Sequence, residues 1–175
     1  MGIYLNCGSG QRPFQKPWIN VEVQEKWRVP TLAKGCDFTL GDASRLPLRN
    51  FEVDVVVGHH IIEHFSDADR DAFIDEAYRV LRIGGSLLIF APNLRTLAQR
   101  WLTGQLSTPL YTVNLYGAWM DSEHDRHKWG WDPASLKAYL QRWPWAQVKP
   151  FDFRRLPGSD YAAHDFWIQE WECVK

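Results

Sequence analysis

The sequence predicts a three-layer α/β fold built on a mostly parallel sheet, and three observations carry that expectation. Strand-like and helix-like segments alternate along most of the chain. Two strand candidates, residues 53–57 (VDVVV) and 86–91 (SLLIFA), are near-continuous apolar runs, the pattern of strands covered on both faces. The first strand candidate runs into a glycine-bearing turn, Asn6-Cys7-Gly8-Ser9-Gly10. Open α/β sheets receive ligands beyond the carboxyl ends of their strands, where such turns sit.

Taken in order, residues 3–5 (IYL) form a short apolar strand before that turn. Residues 18–23 (WINVEV) alternate with period two and predict a second strand. A short third strand is expected over 36–40, and 53–57 is the fourth. Ser66 then caps a helix, with Asp69 placed to complete a capping box. Phe73, Ile74, Ala77, Tyr78 and Leu81 mark one face of it, and Gly84-Gly85 is expected to stop it. Strand 86–91 follows, closed by Pro92-Asn93.

Residues 93–131 are rich in Trp, Gly and His and show no clear period beyond a helix near 94–102. Asp132-Pro133 opens another helix, Asp as N-cap and Pro in the first position. Its apolar face is Leu136, Tyr139, Leu140 and Trp143, and Pro144 is expected to end it. Strands near 147–153 and 166–174 close the chain as an antiparallel edge pair.

The chain has 175 residues, enough to bury a real core as one domain. Its composition, 45% apolar and 23% charged, is that of a globular protein rather than a disordered one. A formal net charge of -1 supplies no bulk attraction to nucleic acid or an anionic membrane, and neither is expected as a partner. No apolar run approaches the ~20 residues of a membrane span, and no secretory pattern opens the sequence. Met1-Gly2 begins like a myristoylation signal, but Asn6 stands where Ser or Thr is needed. Cys7, Cys36 and Cys173 are odd in number and far apart, which predicts reduced thiols and a cytoplasmic protein.

The chemistry-bearing residues recur at strand ends. Gly8 and Gly10 let backbone approach a ligand without a Cβ between them. Glu22 ends the second strand, where a carboxylate can accept two ribose hydroxyls. Asp42-Ala43 follows the third, where an acid suits an adenine amino group, and Gly58-His59-His60 follows the fourth. A dinucleotide is poorly matched. Pro13 stands in place of the third fingerprint glycine, and only 11 residues separate Gly10 from Glu22, too few for the usual helix and strand.

Residues 5–23 (LNCGSGQRPFQKPWINVEV) resemble the opening of small class I S-adenosylmethionine-dependent methyltransferases, with their CG turn and "GWINVD"-like second strand. Residues 41–48 (GDASRLPL), 51–65 (FEVDVVVGHHIIEHF) and 76–93 (EAYRVLRIGGSLLIFAPN) resemble the same family's next segments. The likeness covers 5–93, and more weakly 127–140. It implies a seven-stranded sheet of order 3-2-1-4-5-7-6 and one methyltransferase-like domain over 1–175, with 93–131 as an acceptor-side insertion. It also implies S-adenosylmethionine as cofactor, held by Asn6, Cys7, Gly8, Ser9, Gly10, Glu22, Asp42, Ala43, His59 and His60. Asn6 stands where a Gly or acid is commoner, and Glu22 replaces the usual Asp but can still bridge two hydroxyls. The sequence opens at its first strand, so the acceptor side is expected to be open, or completed by a partner subunit or second copy.

Two features compete with or extend that reading. His60-Ile61-Ile62-Glu63-His64 has the HxxEH form of a zinc peptidase motif. It directly follows a buried strand, leaves little room for a helix before Ser66, and has no evident third ligand on a suitable downstream helix, so no metal is assigned. His124 and His127 lie in a polar stretch, Asp121 to His127, that can border an acceptor pocket. A histidine near its ordinary pKa of ~6.5 suits deprotonation of a hydroxyl. The expected catalytic set is therefore His127, His124 and Asn93. Trp119, Trp129 and Trp131 are candidate walls for a sugar ring or aromatic acceptor. The expected activity is methyl transfer to an unidentified acceptor, a saccharide or small-molecule hydroxyl, and the alternative is a non-catalytic S-adenosylmethionine-binding module.

Overall fold

The computed structural model describes residues 2–10, 12–118, 123–153, 156 and 168–175. Seven strands form one sheet: β1 (Tyr4–Cys7), β2 (Trp18–Glu22), β3 (Asp37–Leu40), β4 (Val53–His59), β5 (Leu81–Pro92), β6 (Gln147–Pro150) and β7 (Ile168–Val174). Their order is β3-β2-β1-β4-β5-β7-β6, as the family resemblance implies. The first five are mutually parallel, and β7 inserts antiparallel between β5 and β6. Because β1 to β4 run the same way, the turns after Cys7, Glu22, Leu40 and His59 all open at one edge of the sheet.

Strand alternation sorts the core into two layers. One face carries Val56, Leu87, Ile89 and Ala91, and packs against Phe73, Ile74, Ala77 and Val80 of α2 (Asp67–Val80) and Leu136, Tyr139 and Leu140 of α5 (Pro133–Leu140). The opposite face carries Val57, Leu88 and Phe90 under Phe14, Trp18, Phe153 and Leu156. That layer is largely aromatic: Phe90 meets Phe153 at 4.3 Å and Phe14 meets Trp18 at 5.2 Å, both edge-on. Each such buried side chain contributes roughly 1.5–3 kcal/mol of transfer free energy.

Caps set the helix starts. The Ser66 hydroxyl accepts the Asp69 amide and donates to its carboxylate. Asp132 and Ser135 form a full capping box, with Pro133 at the first position of α5. Gly84-Gly85 does not stop α2. The helix ends at Val80 and Leu81 turns directly into β5. The two glycines sit instead where the β4–β5 register shifts, and a Cβ on Gly85 would lie 2.9 Å from the Asp54 carbonyl.

Two helices are not evident from periodicity. The short α1 (Arg28–Ala33) buries only Thr31, and α4 (Thr108–Tyr116) buries none of its residues in the core. α4 instead pairs with the expected α3 (Leu94–Leu102), Trp101 stacking on Tyr111 at 4.8 Å. No described helix is long and apolar enough to cross a membrane.

Candidate functional site

A cavity of about 580 Å³ opens over the carboxyl ends of β1 to β4, within the range of ~300–1,000 Å³ usual for small-molecule sites. The turn after β1 forms its floor. Gly8 and Gly10 take positive φ of 68° and 46°, and the Gly8 amide donates to the Val21 carbonyl at 2.9 Å. The buried Glu22 carboxylate joins this turn to the next: one oxygen accepts the Gly10 amide at 2.9 Å, the other the Gln24 amide at 3.0 Å. Each oxygen keeps a further lone pair for a ligand hydroxyl.

Below the turn, Asn6 and Asn20 are partners across β1 and β2, and the Asn6 amide donates to Asn20 Oδ1 at 2.9 Å. Asn20 also exchanges hydrogen bonds with the Phe14 backbone, which pins the loop between the two strands. Asn6 Oδ1 and Ser9 Oγ are buried and have no hydrogen-bond partner among the described residues, and both residues line the cavity. Unmet buried acceptors of this kind are costly unless a ligand or water meets them.

The Asp42-Ala43 turn forms the next wall. Asp42 Oδ1 accepts both the amide and the hydroxyl of Ser44, which shapes the turn and leaves Oδ2 for a ligand. α2 holds this loop from behind. Glu76 accepts the Leu46 amide at 2.6 Å, and Arg79 binds Glu76, the Leu46 carbonyl and Asn50. Glu76 and Arg79 thus place this loop and do not themselves line the cavity.

His59 and His60, at the end of β4, line the cavity beside the glycine turn. Burial, with help from His60 and Arg12, holds the His59 imidazole well below its ordinary pKa, so it is neutral at physiological pH. His60 adopts φ 51°, unusual for a residue with a Cβ, and its Nδ1 lies 2.7 Å from Glu63 Oε1.

The opposite wall comes from far along the chain. Residues 61–64 form a turn, not a helix, so the HxxEH stretch lacks the helical face a zinc peptidase would need. The Glu63 carbonyl accepts the amides of Lys128 and Trp129, which docks the 123–129 segment onto this turn. Lys26 reaches Asp125 at 3.5 Å, tying the same segment to the 3-10 turn (Glu25–Trp27) that precedes α1. His124, Asp125, His127 and Lys128 thereby enter the cavity wall.

Burial pushes the Glu63 carboxyl upward, but the imidazoles of His60, His64 and His127 more than offset this and hold it below the usual range. Burial lowers the His127 pKa, and the opposing pull of Glu63 does not restore it.

Of the residues expected at the cofactor, Asn6, Gly8, Ser9, Gly10, Glu22, Asp42, Ala43, His59 and His60 line this cavity. Cys7 does not: its side chain is fully buried in the core, and burial, with the nearby Glu22, pushes its thiol up to about 12. Of the residues expected to be catalytic, His124 and His127 line the cavity, but Asn93 does not. The Asn93 carboxamide caps α3 by accepting the Thr96 amide. Trp131 is also placed elsewhere, in the core between Tyr139 and the Arg70 guanidinium, and Trp129 stands outside this cavity. Trp119, Asp121 and Ser122 lie outside the described residues. Sequence reasoning missed Arg12, Lys128 and Asn114 in the wall. Only the proximity of Arg12 to the glycine turn offered a signal.

Residues 19–89 match the family model described as a methyltransferase domain. A probable S-adenosylmethionine-dependent methyltransferase of Mycolicibacterium smegmatis is 44% identical over 57 residues. That stretch is 33% of this chain and 21% of the relative, so the chain matches about a fifth of that protein's length. Among solved structures, a SAM-dependent methyltransferase from Archaeoglobus fulgidus superposes with a TM-score of 0.68 at 15% identity, covering 99% of this chain and 86% of that one. The Burkholderia thailandensis 1,6-didemethyltoxoflavin-N1-methyltransferase, solved with bound S-adenosylhomocysteine, does so with a TM-score of 0.59 at 14% identity, covering 99% and 70%. Residues 19–89 are thus similar to a methyltransferase domain, and the strand order and the superpositions give the chain the fold of class I S-adenosylmethionine-dependent methyltransferases.

Proposed function

We propose that this chain is a class I methyltransferase that binds S-adenosylmethionine in the cavity over β1 to β4 and transfers its methyl group to a small-molecule hydroxyl held against His127. The carrying observation is the joined pair Glu22–Gly10, flanked by the unpartnered Asn6 Oδ1 and Ser9 Oγ. A polar, glycine-floored hollow with an acid and spare buried acceptors suits a phosphate-free nucleoside bearing an amino-acid tail.

In this reading Gly8 and Gly10 cradle the amino-acid tail, Ser9 and Asn6 meet its polar atoms, and Arg12 faces its carboxylate. Glu22 accepts the ribose hydroxyls, and Asp42 with Ala43 holds the adenine. The bound cofactor supplies a methyl group already activated on a sulfonium. The chain's task is to hold the acceptor oxygen in line with that methyl and keep bulk water away. As the new O–C bond forms, the C–S electron pair stays with sulfur and the hydroxyl proton passes to a neutral imidazole. His127 suits that role because burial keeps it unprotonated near neutrality. His124 and Lys128 offer polar contacts to the acceptor. A sugar ring has less support than a simple hydroxyl, because Trp129 and Trp131 do not line the cavity.

The test is calorimetric titration with S-adenosylmethionine and S-adenosylhomocysteine, followed by labelled-methyl transfer to pools of hydroxyl and amine acceptors. Micromolar binding with transfer to a hydroxyl pool is expected. No binding by well-folded protein would overturn the reading, and binding without turnover on any pool would make the chain a cofactor-binding module instead.

A further inference from the structure

We propose that Glu63, His64 and His127 form a site for one divalent transition-metal ion at the acceptor end of the cavity. The three side chains each offer a ligand atom, and these atoms lie within 4.8 Å of one another. Glu63 is 1% exposed, and its Oε2 has no hydrogen-bond partner among the described residues, while Oε1 is engaged by His60 Nδ1 at 2.7 Å. A buried carboxylate oxygen without a donor calls for a cation or a proton.

The histidines are oriented for ligation. His64 Nδ1 faces the Arg126 carbonyl at 3.2 Å, and His127 Nδ1 faces the Asn114 carbonyl at 3.0 Å. A carbonyl oxygen only accepts, so Nδ1 carries a proton in each ring, and in the neutral tautomer Nε2 is the nitrogen that offers a lone pair. Metal-binding histidines are characteristically held this way, the distal N–H donated to a carbonyl or carboxylate that fixes the ring. The His64 and His127 rings meet at 4.7 Å and 80°, close enough to share one ion. His60 plays the corresponding part for Glu63.

Two imidazoles and one carboxylate suit zinc, cobalt(II) or iron(II) better than magnesium or calcium, which prefer all-oxygen shells. Three protein ligands leave positions open to the cavity, as catalytic rather than structural sites do. His64 and His127 line the cavity that holds the proposed cofactor. The role of the ion therefore rests on the methyltransferase reading, although its binding does not. An acceptor hydroxyl held against it would lose its proton more readily, and His127 would then act as ligand rather than base.

The test is titration of chelator-stripped protein with zinc, and with cobalt(II) followed by its visible absorption. Wild type should bind one equivalent at micromolar or lower free ion. Glu63→Gln and His127→Ala should each weaken binding tenfold or more, about 1.4 kcal/mol, with thermal unfolding confirming that they fold. Absence of binding by wild type, or unchanged binding in both variants, would overturn the proposal. S-adenosylmethionine is titrated separately on the same sample. Cofactor binding without ion binding would refute the metal site alone, whereas ion binding without cofactor binding would support it and refute the methyltransferase reading.

Discussion

The Gly10 amide donates to the Glu22 carboxylate at 2.9 Å, so the acid that ends β2 also holds the glycine turn that ends β1. One side chain both shapes the cavity floor and faces its contents. Glu22→Ala removes both functions, and S-adenosylmethionine affinity should fall at least tenfold, about 1.4 kcal/mol. Glu22→Gln keeps an acceptor for the Gly10 amide and should fall between the two. Calorimetry on the three proteins checks this order. Equal affinity for wild type and Glu22→Ala would remove Glu22 from the cofactor site.

Gly8 and Gly10 both have positive φ, yet their surroundings differ. A Cβ on Gly8 would lie 2.8 Å from Ile61 Cδ1, whereas one on Gly10 meets nothing nearer than 4.0 Å. Gly10→Ala should therefore cost only the left-handed backbone penalty of about 1–2 kcal/mol. Gly8→Ala adds a clash with a side chain in the cavity wall, and should lower the unfolding midpoint further and weaken the cofactor more. Equal midpoints for the two variants would contradict the close packing of Gly8 on Ile61.

Acid stability should depend on Asp54. Its carboxylate accepts Arg82 Nε at 2.6 Å and the Ile3 amide at 2.8 Å. The Arg82 hydrogen bond, then the Ile3 amide, hold its pKa below the ordinary value. A depressed folded pKa contributes stability above the unfolded value of ~3.9, and that stability disappears as pH falls through the folded pKa. Asp54→Asn should unfold at a lower temperature than wild type near neutrality. The gap should close as pH drops below about 4. A gap independent of pH in thermal melts would show that charge at Asp54 is not the cause.

Core position and surface position should separate cleanly. Phe73 is fully buried between α2 and the sheet, and Phe73→Ala should cost roughly 3–5 kcal/mol in denaturant unfolding. Leu102, at the end of α3, is 76% exposed, and Leu102→Ala should stay within about 0.5 kcal/mol. A large loss at Leu102 would indicate that α3 is covered in solution.

Much of the scaffold was legible because its signals are local. Apolar runs located β4 and β5, period-two alternation located β2, and Ser66 and Asp132 marked the starts of α2 and α5. Helices α1 and α4 escaped because neither carries a buried apolar stripe to set a period. Gly84-Gly85 was misread as a stop because a glycine needed for close approach between strands looks the same in sequence as a helix terminator. Asn93 was misread for a related reason: an Asn after a strand is equally a helix cap and a ligand group, and only the position of Thr96 distinguishes them.

The sequence by itself determined the sheet elements, the glycine turn, and the acids that follow β2 and β3, since each depends on residues adjacent along the chain. Tertiary structure alone decided what faces that turn. His127 reaches Glu63 and His64 because the Glu63 carbonyl takes the Lys128 and Trp129 amides, and because Lys26 holds Asp125. The Glu63 contacts join segments more than sixty residues apart through backbone groups, which every residue carries alike, and Lys26–Asp125 pairs two surface charges almost a hundred residues apart. No periodicity or motif records such a meeting, so this wall of the cavity and its candidate metal ligands emerge only when the chain is folded.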